Sequence, residues 1–263
     1  MPPGFSFLAR LLVLAALGYL AFLAVDRWVP SRHLPWKPVD LTQPPGLATG
    51  FQVNRLEAEL DDCIAALEQA GVGAVRAEAM DEGAFCRVDN AVRLRSGITP
   101  ISPQGLRVAC PLAAAYVIWD RQVLQPAARE ELGAEVTGVS SLGTYACRRM
   151  YGREDQRPSE HARANAIDLD GFRLADGRRV SVKDGWNGDP AEARFLRRLR
   201  DGGCKVFGTV LSPDYNAEHA DHLHLDMGNW AFCPLGPVEA PQLPPPATRE
   251  TPAEKARPGP KAA

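Results

Sequence analysis

The run from Leu11 to Val25 carries no charge and consists almost wholly of Leu, Ala, Val and aromatic residues, with Phe5 to Ala9 extending it behind a single Arg10. Counted from Phe5 it is 21 residues long, close to the roughly 20 needed to cross a bilayer. Arg10 can snorkel toward cytoplasmic headgroups, and Tyr19 and Phe22 are tolerated in or near the interface. The pattern predicts a single-pass signal-anchor, a transmembrane helix over residues 1–27. A cleaved signal peptide is the rival reading, although no convincing small-x-small site precedes Asp26. Both readings export the remainder of the chain, which is expected at the inner membrane with its domain in the periplasm.

Residues 28–50 form a Pro-rich linker, with Trp28 to Pro45 suited to an extended spacer that holds the domain off the membrane. Residues 239–263 form a Pro-rich tail whose 24 positions from Ala240 include seven prolines and no apolar run, which predicts disorder. The domain proper is expected over residues 51–238. Its first helix starts at Asn54, as a cap, and stops at Gly71, with Leu56, Leu60, Cys63, Ile64 and Leu67 on one face. A second helix covers Pro111 to Gln125 and ends near Pro126, and a third covers Pro190 to Arg200.

Strand-like sequence occurs at Glu135–Val139, Thr144–Arg148, Ala166–Leu174, Arg179–Val182, Lys205–Leu211 and His222–Met227. Asp176-Gly177 is a hairpin signal between Phe172 and Val180. The expected class is α+β, an antiparallel sheet with flanking helices.

With 263 residues, 45% of them hydrophobic, the chain can bury one sizeable core. A formal charge of −2 and the lack of a Lys/Arg-rich block take nucleic acid off the list of partners. The six cysteines form no Cys-x-x-Cys pair, so they read as disulfides in an exported protein, with buried free thiols as the alternative. Closing moderate loops suggests Cys63 with Cys86, Cys110 with Cys147, and Cys204 with Cys233.

Four of the five histidines fall in one part of the chain, as His161 and the run His219-Ala-Asp-His-Leu-His-Leu-Asp226. On a strand, His222, His224 and Asp226 would share one face while Leu223 and Leu225 face the core. The same parity turns Ile167 and Leu169 inward and Asp168 and Asp170 outward. Two neighbouring strands can therefore present Asp168 beside His224, with His161 arriving from the preceding loop. Two imidazoles and a carboxylate suit Zn²⁺ and leave its fourth position open for water, whose pKa such an ion lowers to about 7. The same set with open positions also suits Fe(II).

Ser159-x-His161 followed by Asp168, together with His219-x-x-His222-x-His224, resembles the zinc D-Ala-D-Ala peptidases and murein endopeptidases, a superfamily that includes the Hedgehog amino-terminal domain. The stretch from Leu56 to Pro234, including Tyr145-Ala-Cys-Arg148, is similar to the bacterial family called extensin-like, carboxy-terminal. The resemblance implies a Hedgehog/DD-peptidase-like fold with His161, Asp168 and His224 as zinc ligands.

It further implies His222 poised near the metal-bound water, with His219 matching the outer histidine of the endopeptidases. His222 is then the preferred general base, with Asp221 as runner-up in the position where dipeptidases carry Glu. Asp221 could equally serve a turn. Arg148 is expected to hold a substrate carboxylate, while Ser159 either contacts substrate or caps local backbone. Asp170 and Asp226 read either as orienting partners or, more simply, as solvated strand-edge carboxylates. Where the peptidases usually place Gly, this chain has Ala164, which is strained if the position needs positive φ.

The function expected is zinc-dependent amide hydrolysis in peptidoglycan peptides, a metallopeptidase of the cell envelope. The competing expectation is a zinc-stabilised module that binds cell-wall peptide or polysaccharide without turnover.

Overall fold

The computed structural model describes residues 3–83, 85–228 and 232–234; the tail expected over 239–263 lies outside them. Helix α1 (Pro3–Trp28) contains a stretch, Phe7–Trp28, long and apolar enough to cross a membrane. The segment after α1 is not the extended spacer expected from its prolines. Beyond a single 3₁₀ turn at Ser31–His33, Leu34 and Leu41 are buried in the domain. The Gln52 side-chain amide donates to the carbonyls of Ser31 and Leu34 at 2.9 and 2.8 Å. Proline denies this segment regular structure, but its leucines still remove apolar surface from water.

The first expected helix is two. Helix α2 (Thr49–Arg55) ends beside Asn54, the expected cap, and α3 (Leu60–Gln69) begins after a break at residues 56–59. Gly71, at φ +70°, stops α3 as expected. Short strands β1 (Gly73–Arg76), β4 (Ala91–Ser96) and β6 (Val108–Ala109) form an antiparallel sheet, and β2 (Met80–Asp81) pairs with β3 (Arg87–Val88).

All ten residues of α4 (Cys110–Trp119) are buried. The helix does not end near Pro126. It widens into a π turn at Asp120–Leu124 and continues as α5 (Gln125–Leu132), with Pro126 in the first turn, where a missing N–H costs least.

The larger sheet is built from β5 (Ile101–Ser102), β7 (Val136–Gly143), β8 (Ala166–Leu174), β9 (Arg179–Ser181), β10 (Thr209–Leu211) and β11 (Leu223–Asp226). It runs β10–β11–β8–β7–β5, with β9 also paired to β8. Every pair is antiparallel except β5 with β7. The expected strand at Thr144–Arg148 does not form, because Thr144 leaves the sheet and its hydroxyl donates to the Arg107 carbonyl at 2.7 Å.

After α6 (Val182–Gly185), helix α7 (Pro190–Gly203) starts on Asp189, whose carboxylate accepts from the N–H groups of Ala191 and Glu192. Phe195, Leu196 and Leu199 of α7 are buried, and the Trp119 indole N–H bridges α4 to α7 by donating to the Leu199 carbonyl at 3.1 Å. Mixed α+β with mainly antiparallel sheets is thus the architecture.

All six cysteines pair. Cys204–Cys233 forms as expected, with Cα atoms 5.7 Å apart. The other two pairs are Cys63–Cys110 and Cys86–Cys147, a correction to Cys63–Cys86 and Cys110–Cys147. The cause is tertiary: α3 packs on α4 and brings Cys63 within 6.0 Å (Cα–Cα) of Cys110. Replacing both Cys63 and Cys110 by Ala releases a closure spanning 47 residues. The unfolding free energy is expected to drop by about 4 kcal/mol, read from guanidinium titration with the other disulfides intact.

Candidate metal centre

The site begins with register. On β8 and β11, Leu223 pairs with Leu169, His224 with Asp168, and Leu225 with Ile167. The four apolar partners are buried in the core, so the alternation turns His224 and Asp168 together to the opposite face. His161 comes from a 3₁₀ turn at Glu160–Arg163, entered through Ser159, whose hydroxyl accepts from the His161 N–H at 3.3 Å. Ser159 therefore does cap local backbone, and it also lines the cavity beside the histidines.

That turn closes on Ala164 at φ +53°. The strain expected at this position is real, since a non-glycine residue in the left-handed region costs roughly 1–2 kcal/mol. The methyl group offsets part of it by packing into a cluster with Ala77, Val88 and Ala91.

His161 Nε2 lies 3.2 Å from His224 Nδ1 and 3.2 Å from Asp168 Oδ2, while His224 Nδ1 lies 2.9 Å from Asp168 Oδ1. Ligand atoms held at about 2.0–2.1 Å by one tetrahedral ion stand about 3.3 Å apart, so this spacing is that of a coordination shell. The reverse sides of both rings are also engaged. His161 Nδ1 is 3.3 Å from the Thr144 carbonyl, and His224 Nε2 is 2.9 Å from Asp226 Oδ2.

Asp226 Oδ1 in turn accepts from the Gly228 N–H at 2.7 Å. These outer contacts select the nitrogens that face the centre. The donor set fits a zinc-like divalent cation.

Charge obeys the same geometry. Burial raises the pKa of Asp168, but hydrogen bonds from His161 and His224 outweigh it and hold the carboxyl far below the usual range. Burial lowers the pKa of His224, yet the carboxylates of Asp168 and Asp226 on either side of the ring push it up to about 9.

His222 Nε2 approaches Asp168 Oδ1 at 3.6 Å, and its Nδ1 is 2.9 Å from Asp221 Oδ1. Asp221 itself is exposed and does not line the cavity, so its carboxylate acts on the His222 ring. His219 packs against both rings, tilted on His222 with centroids 5.1 Å apart and edge-on to His224 at 5.8 Å. Burial and the neighbouring imidazoles push its pKa down to about 3, and its Nδ1 lies 2.6 Å from Asn216 Oδ1.

Around these groups opens a cavity of about 1030 Å³, with Arg148, Arg157, Tyr151, Tyr215 and Phe232 in its wall. All eight residues proposed from sequence gather here, seven of them on the cavity wall and Asp221 directly behind His222.

Two contributors are not evident from sequence. Asp226 reads most simply as a solvated edge carboxylate, although its parity with His222 and His224 is an available signal. The Thr144 carbonyl is backbone and leaves no signal in residue identity. Asp226→Ala is expected to weaken zinc binding by about 10–100-fold, measured by competition with a chromogenic chelator. An unchanged affinity would show that the His224 ring needs no support from behind.

A mixed α+β domain with a two-histidine, one-carboxylate cluster at the base of an open cavity is the class that fold and site define. Residues 61–234 match the family described as extensin-like protein C-terminus, and the chain belongs to that family. No curated protein and no solved structure matches the chain.

Proposed function

We propose that this protein is a zinc-dependent hydrolase of the cell envelope, anchored in the inner membrane by α1 with its domain in the periplasm, that cleaves an amide bond in peptidoglycan peptides. The observation that carries the reading is the convergence of His161 Nε2, His224 Nδ1 and an Asp168 oxygen, all within 4.8 Å of one another beside a substrate-sized cavity. Pairing of all six cysteines favours an oxidising compartment. The Ser159-x-His161, Asp168 and His222-x-His224 pattern, similar to zinc D-Ala-D-Ala peptidases and murein endopeptidases, supports the reaction class.

When bound, zinc supplies Lewis acidity, lowering the pKa of water to about 7 and polarising the scissile carbonyl. The chain's own residues do the rest. His222 Nε2 accepts a proton from the water that adds to the carbonyl carbon and delivers it to the amine as the C–N bond breaks, with Asp221 holding the ring through Nδ1. Arg148 receives a terminal carboxylate through paired hydrogen bonds, and Ser159 and His219 shape the adjoining wall.

Purified protein incubated with zinc and sacculi tests the proposal. New amino groups, traced by mass spectrometry to one class of muropeptide bond, are the expected result. Tight binding with no amines released would instead define a zinc-stabilised wall-binding module. Metal analysis of protein purified without added metal separates zinc from Fe(II) at the same ligands.

A further inference from the structure

We infer that the domain is clamped onto the outer surface of the lipid bilayer by an aromatic clasp between the end of α1 and the segment after it, an inference that rests on the proposed role of α1 as a membrane anchor. Asp26 is the first charged residue after the run from Leu11 to Val25, so it marks where α1 leaves the hydrocarbon. Trp36 folds back to this level. Its indole N–H donates to Asp26 Oδ1 at 2.7 Å, and Lys37 Nζ pairs with Asp26 Oδ2 at 2.7 Å. The Trp36 ring also packs on Phe22, with centroids 5.4 Å apart.

Phe22 lies three residues inside the uncharged run, about 4.5 Å below its end at 1.5 Å per residue. A ring held against it is carried to the boundary between acyl chains and headgroups. Tryptophan favours that depth, because its apolar rings and polar N–H are suited to opposite sides of the boundary.

The clasp is continuous with the domain. Leu34 and Leu41 are buried in it, and Gln52 grips the carbonyls of Ser31 and Leu34. The Leu47 N–H donates to His33 Nδ1 and the Ala48 N–H to the Arg32 carbonyl. On this same segment Leu47 is 92% exposed and Phe51 57% exposed, apolar surface with no cover inside the domain. Arg27 at the end of α1 and Arg32, whose carbonyl accepts from the Ala48 N–H next to Leu47, supply positive charge along the segment, which suits anionic headgroups. The lipid surface is the partner this combination fits, and the attachment confines the domain to the layer next to the membrane.

The test uses the full-length protein in vesicles of phosphatidylethanolamine and phosphatidylglycerol whose acyl chains are brominated near the headgroup. Emission lost in Trp36→Phe and in Trp28→Phe, taken as differences from wild type, reports the two rings separately. Both signals are expected to be quenched by the brominated lipid. In Phe22→Ala/Asp26→Ala, which opens the clasp, quenching of Trp36 should fall while that of Trp28 persists. Quenching of Trp28 without Trp36 would overturn the clamp and leave the anchor standing. Quenching of neither would remove the anchor and the clamp together.

Discussion

His224→Ala is expected to yield protein without stoichiometric zinc and to cut muropeptide cleavage by more than about a thousandfold, since Lewis-acid stabilisation is worth several kcal/mol and each 1.36 kcal/mol is a factor of ten. The size of the effect comes from where the ring sits. The His224 ring is held at 2.9 Å at both nitrogens by carboxylates, Asp168 on one side and Asp226 on the other. Its removal takes away one candidate ligand and also leaves the buried Asp226 and the half-buried Asp168 without the imidazole between them.

Because that imbalance could unfold the domain, His224→Gln and His161→Ala belong in the same experiment. His161→Ala removes a ligand while keeping His224 between its carboxylates, so it should lose zinc with the fold intact by circular dichroism. Hydrolysis retained by metal-free protein in any of these variants would eliminate the mechanism.

The strongest part of this centre is legible in sequence because it depends on strand parity, which is local. Alternation at His222–Asp226 and at Ile167–Asp170 faces the leucines and Ile167 inward, and the observed pairing of His224 with Asp168 results once those strands are neighbours. The apolar helix near the amino terminus is equally legible, since length and lack of charge suffice to define it.

The features that sequence conceals depend on contacts between distant segments. The Cys63–Cys110 pair exists because α3 packs on α4, and no spacing rule carries that information. Pro126 reads as a stop by itself, yet the π turn before it places the ring in a first turn. Asp226 resembles a surface residue because strand-edge carboxylates usually are. It is 5% exposed here, with one carboxylate oxygen against His224 Nε2 and the other accepting from the Gly228 N–H. The linker misleads for a related reason, since proline content reports regular structure lost but says nothing about the leucines between the prolines.

His222→Ala separates proton handling from cation binding. His222 stands beside the cluster on the cavity wall, 3.6 Å from Asp168 through Nε2, and makes none of the three shortest contacts among the candidate ligand atoms. Stoichiometric zinc should therefore survive its removal. Positioned general acid–base groups contribute about 10²–10⁴-fold, so kcat is expected to fall by that range with KM nearly unchanged.

Asp221→Asn provides the graded control, because it alters only the partner that fixes the His222 Nδ1 proton. Its kcat should fall less than that of His222→Ala, with zinc content again unaltered. A loss of zinc in His222→Ala would make His222 a ligand, and full activity in that variant would move the proton-handling role to another group on the cavity wall. His219 is the first to test in that event, since burial and the adjoining imidazoles keep it neutral, with Nδ1 engaged by Asn216.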